Sequence, residues 1–304
     1  MHRYDLIAVI GPTASGKTEF AAKLAHNLDG EVISADSRQV YRNMNIGTGK
    51  DYSDYVVNGT AVPVHLIDIA EPGYKYSIFE YQRDFFRAYR DIVSQKKTPV
   101  MCGGSGMYIE AVAHQYRLDE VPLNEKLRLE LQGKSLNDLK EILLQLKTLH
   151  NQTDTDTVEH ALRAIEIEYF YRDHPGERRL PDLSILYLGV LYDRETERKR
   201  ITERLHKRLQ QGMVEEVRNL LASEISADSL TYYGLEYRYI TLYLAGKMGY
   251  ETMVSLLNTA IHQFAKRQRT WFRRMERRGT PIHWISGELS LDEKIESALV
   301  LINR

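Results

Sequence analysis

Gly11, Gly16, Lys17 and Thr18 stand in the run GPTASGKT with the spacing of a loop that holds phosphates. Glycines let successive backbone N–H groups turn inward around phosphate oxygens, a lysine neutralises them, and the Thr18 hydroxyl is placed to ligate a magnesium ion. Pro12, Thr13, Ala14 and Ser15 complete the loop, and Asp36 arrives soon after in the run DSRQVYRNMNIGTGK. The loop alone does not fix the reaction, because kinases, NTPases and transferases all use one to hold a diphosphate. A phosphoryl-transfer enzyme adds an acidic residue at the end of a second apolar strand to hold the metal. Asp68 in VHLIDIAEP is the candidate for that place, with structural pairing as the alternative, whereas the more apolar PVMCGGSGMY ends in glycines and Ser105.

Such residues need rigid elements behind them. Leu6 to Ile10 is a continuous apolar run ending at Gly11, which suits a strand buried on both faces, and residues 18–28 then carry Phe20, Leu24 and Leu28 at helical spacing. Short buried strands are expected at 31–34, 65–69, 99–102 and 185–190, with a helix over 79–95 and a last strand at 281–285. Alternation of this kind predicts a mostly parallel α/β sheet. Between about 115 and 163 the texture changes to Leu127, Leu131, Leu139, Ile142, Leu143 and Leu146 at helical spacing, which reads as a helical insertion. Residues 173–182 carry two prolines and a glycine and read as a loop, and 194–279 is helical almost throughout.

A chain of 304 residues with 43% hydrophobic content can bury a sizeable core. Its formal net charge of -1 gives no global attraction to nucleic acid, so such binding has to come from local clusters. Two exist: KRQRTWFRRMERR at 266–278, and the stretch 194–208 with Arg198, Arg200, Arg204, Lys207 and Arg208. The second is equally readable as a solvated helix face. A single cysteine, Cys102, excludes a disulfide framework and a cysteine-based zinc module and agrees with a reducing compartment, the cytoplasm by expectation. No apolar stretch approaches membrane-spanning length, so a soluble protein is expected.

Taken in order, GPTASGKT, VISADSRQVYRNMNIGTGK, VPVHLIDIAEPGYKYSIFEYQRDF, PVMCGGSGMYIEAV and QFAKRQRTWFRR resemble the tRNA dimethylallyltransferases, also called tRNA isopentenyltransferases, from the N-terminus to about Trp284. The resemblance implies an α/β fold, a P-loop NTPase-like mostly parallel sheet flanked by helices, with a helical insertion domain. The core would be 1–114 and 185–304, and 115–184 the insertion that grips the anticodon arm. It further implies Mg²⁺, dimethylallyl diphosphate as donor and a tRNA anticodon stem-loop as partner; a monomer is expected. The loop would then hold a leaving group, and the acceptor would be the N6 amine of the adenine next to the anticodon.

That amine is a poor nucleophile, so a carboxylate able to take its proton helps the attack, and Asp36 is the candidate; a helix N-cap is the alternative use of this aspartate. Lys17, Thr18 and the loop N–H groups would stabilise the departing diphosphate. By the same resemblance Thr13 lies near the reacting centre, able to bond Asp36 or the diphosphate. Ser37, Arg38 and Gln39 meet the flipped base, with the Gln39 amide able to read an adenine edge, and Ser105 lines the same channel. Lys50 and Arg83 fall on matching basic positions. In the 266–278 helix Lys266, Arg267 and Arg274 would touch RNA phosphate, with Trp271 as a stackable ring.

Two departures stand out. TDTDTVEHALRAIE keeps Arg163 but places Glu159 and His160 where a glutamine and arginine are common, and LTYYGLEYRY keeps Gly234 but has Thr231 in place of an arginine, with Arg238 nearby as a substitute. The rival readings are an adenylate isopentenyltransferase acting on free AMP, a small-molecule kinase, and a nucleotide-gated RNA-binding protein.

Overall fold

The computed structural model describes residues 3–114, 116–147, 155–175, 180–223 and 225–303. They form two compact units, 1–116 with 182–304, and 117–181.

The first unit is built on six parallel strands: β1 (Leu6–Ile10), β2 (Gly30–Ser34), β5 (Val64–His65), β6 (Thr98–Gly103), β7 (Ile185–Leu191) and β8 (Ile282–Ser286), in the order β5-β2-β6-β1-β7-β8. Every residue of β1 is buried, because helices cover both faces of a parallel sheet. Helix α1 (Lys17–Asn27) buries Phe20 and Leu24 against β1 and β6 residues such as Ile7, Val9 and Val100. Between β2 and β5, strands β3 (Val56–Val57) and β4 (Thr60–Ala61) form a small antiparallel hairpin. Its turn is Asn58-Gly59, both at positive φ, a local hairpin signal that periodicity does not capture. Helix α2 (Ile78–Ser94) opens with a capping box, in which Ser77 and Glu80 satisfy each other's backbone N–H groups. Helix α3 (Gly106–Ala113) follows β6 directly.

The expected strand over 65–69 shrinks to β5. Leu66 and Asp68 both adopt positive φ, 63° and 55°, which no strand accommodates.

The second unit contains α4 (Glu125–Glu130), α5 (Leu136–Leu146) and α6 (Val158–Asp173). Leu127, Leu131, Leu139, Leu143, Ala161 and Ile165 make its core, so the leucines that signalled an insertion bury one another. Back in the first unit the chain runs through α7 (Arg194–Gln210), α8 (Met213–Ala222), α9 (Ala227–Tyr232), α10 (Leu235–Leu244) and the 28-residue α11 (Tyr250–Arg277), and ends in β8 and α12 (Leu291–Ile302). No described helix is long and apolar enough to cross a membrane.

Strand order is what positions the site. β1, β6 and β2 are neighbours running in one direction, so the three loops that leave their carboxyl ends, 11–16, 103–105 and 35–39, emerge side by side. That edge is where open parallel sheets bind ligands.

Candidate active site

The loop between β1 and α1 is held in the shape its sequence predicts. Gly16, at φ 77°, occupies the left-handed region immediately before Lys17, which lets the first N–H groups of α1 face outward from the helix end. Residues Thr13 to Thr18 line a cavity of about 1200 Å³. Gly11 and Pro12 are buried behind it, and Pro12 O accepts the Lys17 ammonium at 3.2 Å. Burial pulls the Lys17 ammonium below the usual lysine range, while the Asp36 carboxylate partly restores it. Ser15, only 2% exposed, has a hydroxyl with no hydrogen-bond partner among the described residues, an arrangement suited to a phosphate oxygen. Burial also pushes the neighbouring Cys102 thiol up to about 12, so it stays protonated.

Asp36 lies two residues beyond β2, on the cavity wall. One carboxylate oxygen, Oδ1, accepts the backbone N–H of Arg38 at 2.9 Å, closing an Asx turn, so the aspartate shapes a turn and does not cap a helix. Its second oxygen has no partner among the described residues. Ser105 Oγ, from the loop after β6, accepts the backbone N–H of Ser37 at 3.1 Å and so ties the two loops together.

Arginines from α7 form the wall opposite. Arg200 Nε donates to Ala14 O at 3.0 Å, and Arg204 Nη1 donates to Thr13 Oγ1 at 3.3 Å. Arg204 and Arg208 both reach Asp51 Oδ2, at 3.5 and 3.2 Å. The pair packs directly against Gly49, whose positive φ and lack of a side chain give the guanidinium groups room. Burial, with Arg208 alongside, lowers Arg204 to about 10. These arginines were open between RNA contact and a solvated face; the structure brings them to the phosphate loop. Their four-residue spacing was the available signal.

Helix α11 closes the site from a third side. Gln268 accepts the Thr13 backbone N–H and donates to Gly104 O at 3.0 Å, a role that nothing in the sequence marked. Arg267 and Trp271 also line the cavity. Arg274 stacks on Trp271 with its guanidinium carbon 3.9 Å from the ring centroid, and its Nη2 pairs with Glu110 at 2.8 Å. Lys266 is exposed on the same helix, away from the cavity lining.

The model of the IPP transferase family matches residues 39–275 of this chain. The chain is 60% identical over 296 residues to the tRNA dimethylallyltransferase 2 of Bacteroides fragilis, with 97% of each chain covered. The chain belongs to the IPP transferase family. It is also 55% identical over 304 residues to the tRNA dimethylallyltransferase 1 of Parabacteroides distasonis, covering 100% of this chain and 99% of that one. Among solved structures it resembles the tRNA isopentenylpyrophosphate transferase of Bacillus halodurans at 28% identity and a TM-score of 0.72, covering 98% of this chain and 95% of that one.

Within this IPP transferase framework several expected roles change. The Gln39 amide donates to Gly49 O at 3.1 Å, and its oxygen accepts from Ser34 Oγ at 3.2 Å in a residue 8% exposed, so it braces the turn at 45–50 instead of presenting an edge to a base. Asp68 pairs with the buried Lys50 and with Tyr52 and is absent from the cavity wall, which removes both Asp68 as a metal ligand and Lys50 as a ligand-facing cation. Arg83 pairs with its neighbour Asp84 at 2.9 Å. Thr13 Oγ1 receives Arg204 and makes no bond to Asp36 among the described residues.

In the insertion, Arg163 donates to Val121 O and Pro122 O and pairs with Glu166 at 3.0 Å, holding its own unit together. Glu159 pairs with Arg128 at 2.9 Å, and the His160 N–H is capped by Thr157. Burial pushes the Glu166 carboxyl up, and Arg128 and Arg163 more than offset it, so the group stays ionised below the usual range. Arg238 is exposed at the cavity edge, with Thr231 nearby.

Magnesium fits what this family member offers. Among the described residues no three His, Cys, Asp or Glu side chains converge on a metal position. The Thr18 hydroxyl and the Asp36 and Asp54 carboxylates line one cavity. With no converging trio among the described residues, these oxygens suit a cation that keeps most of its waters and takes further ligands from a diphosphate.

Proposed function

We propose that this chain transfers the dimethylallyl group of dimethylallyl diphosphate to N6 of the adenine 3′-adjacent to the anticodon of a tRNA, releasing diphosphate. The observation that carries the reading is one cavity shared by a phosphate loop, a wall of arginines and the Asp36 carboxylate with one oxygen uncommitted. Lys17, Arg200 and Arg204 gather at the phosphate loop, where they would neutralise a departing diphosphate.

The N6 lone pair attacks the allylic carbon as the carbon–oxygen bond to the diphosphate breaks. The N6 proton passes to the second Asp36 oxygen, and the negative charge collects on the diphosphate beside Lys17, Arg200 and Arg204. Mg²⁺, held by the Thr18 hydroxyl and the diphosphate itself, would add charge neutralisation there. Arg267, on the wall of the same cavity, supplies a cation for an anticodon loop, with the Trp271 ring beside it. The single, buried Cys102 supports a cytoplasmic setting, and the reading takes the protein as a monomer.

Radiolabelled dimethylallyl diphosphate incubated with the protein and either tRNA, free AMP or no acceptor tests the reading. Label on tRNA alone is expected. Label on AMP and none on tRNA would assign the chain to free-nucleotide prenylation, and consumption of the ATP γ-phosphate in a parallel tube would assign it to the kinases.

A further inference from the structure

Helix α9 ends at Tyr232, and Gly234, at φ 138°, immediately precedes α10, so two adjacent tyrosines sit at a sharp junction on the cavity wall. They are treated differently. Tyr233 is 1% exposed; its hydroxyl donates to Tyr74 O and accepts the Gly73 N–H, and its ring meets Tyr41 edge-on at 4.5 Å. That side chain anchors the junction. Tyr232 touches Tyr233 edge-on at 5.5 Å and is otherwise 44% exposed, with no hydrogen bond from its hydroxyl among the described residues.

Two cations attend the exposed ring. The Arg38 guanidinium carbon lies 5.3 Å from its centroid and the Lys75 ammonium 5.7 Å, both within cation–π range. Neither cation takes part in any of the ion pairs found among the described residues. A solvent-facing ring flanked by two cations without counter-charges has the composition of a nucleotide subsite, with the base on the ring and a phosphate on the cations. Arg38 belongs to the same turn as Asp36, since its own N–H closes that turn. The acceptor adenine has to reach Asp36 on the cavity wall, while a ring this exposed stands at the rim, where the next nucleotide passes.

We propose that Tyr232, with Arg38 and Lys75, is the subsite for the nucleotide adjacent to the acceptor adenosine, and that it helps set RNA specificity. The proposal rests on the prenyl-transfer reading.

The test uses an anticodon stem-loop RNA, intact or abasic at either neighbour of the acceptor, with the wild type, Tyr232→Ala and Tyr232→Phe. The alanine variant is expected to raise KM for intact RNA about tenfold or more, the range of one lost base–aromatic stack, with the donor KM and the melting temperature near wild type. The phenylalanine variant restores the RNA KM. An abasic site at the engaged neighbour erases the difference between wild type and Tyr232→Ala. An unchanged RNA KM, an alanine penalty that persists with both abasic RNAs, or a loss confined to melting temperature and donor KM overturns the subsite alone. A wild type that leaves every RNA unlabelled overturns the prenyl-transfer reading and the subsite with it.

Discussion

Gln268 Oε1 accepts the backbone N–H of Thr13 at 2.8 Å, joining the basic helix α11 to the phosphate loop across 255 residues of sequence. The same amide donates to Gly104 O, so one side chain fixes two of the three loops at the sheet edge. Gln268→Leu frees the half-buried Thr13 N–H and leaves the buried Gly104 carbonyl unpaired, the latter worth about 1–3 kcal/mol. The variant is expected to melt several degrees lower and to raise the donor KM. Gln268→Glu keeps the acceptor for Thr13 and loses the donor to Gly104, and is expected to fall between the two. Wild-type melting and donor KM in the leucine variant would show that the bridge is idle.

Asp36 is open to a substitution that separates shape from chemistry. Its Oδ1 bond to the Arg38 N–H is one that the side-chain oxygen of asparagine also makes. Asp36→Asn therefore keeps the turn and removes the proton acceptor. Single-turnover transfer is expected to slow by about 10²- to 10⁴-fold with tRNA affinity near wild type. Unchanged single-turnover rates rule out the base role, and lost tRNA affinity points to a binding role.

The phosphate loop, its flanking strand and helix, and Asp36 were readable because continuous apolar runs and fixed spacing are local properties. The leucines of the insertion were readable for the same reason, since they bury one another. What escaped is non-local. Arg200 and Arg204 show a charged helix face in the sequence, but only the packing of α7 brings that face to the loop. Gln268 is a buried amide whose partners lie more than 160 residues away, and the chain order carries no trace of the pairing. The strand expected at 65–69 failed on backbone geometry at Leu66 and Asp68 that an apolar pattern does not report.

Asp51 holds Arg204 and Arg208 together through a single carboxylate oxygen. A diphosphate entering the cavity competes with that carboxylate for the same donors. Arg208→Met is therefore expected to weaken pyrophosphate product inhibition about tenfold or more, with RNA KM little changed. Asp51→Asn should act in the opposite direction, tightening pyrophosphate by about two- to fivefold. Isothermal titration with pyrophosphate measures both, and equal affinities across the three proteins would place the arginine pair outside the diphosphate site.

Asp54, on the same wall, supplies a pH dependence with a definite sign. Burial, with Asp51 and Glu19 nearby, raises its carboxyl from 3.8 to about 6, and Arg204 and Arg208 only partly oppose the shift. The folded chain therefore holds this proton more tightly than the unfolded chain between about pH 4 and 6. Stability from this group is present at the acid end of that window and is lost as pH rises through it. Asp54→Asn abolishes the titration while keeping the shape, so the variant's melting temperature minus that of the wild type should be larger at pH 7 than at pH 4.5. Thermal unfolding of both proteins at the two pH values checks this; a constant difference would mean that Asp54 titrates in the folded protein as it does in the unfolded chain.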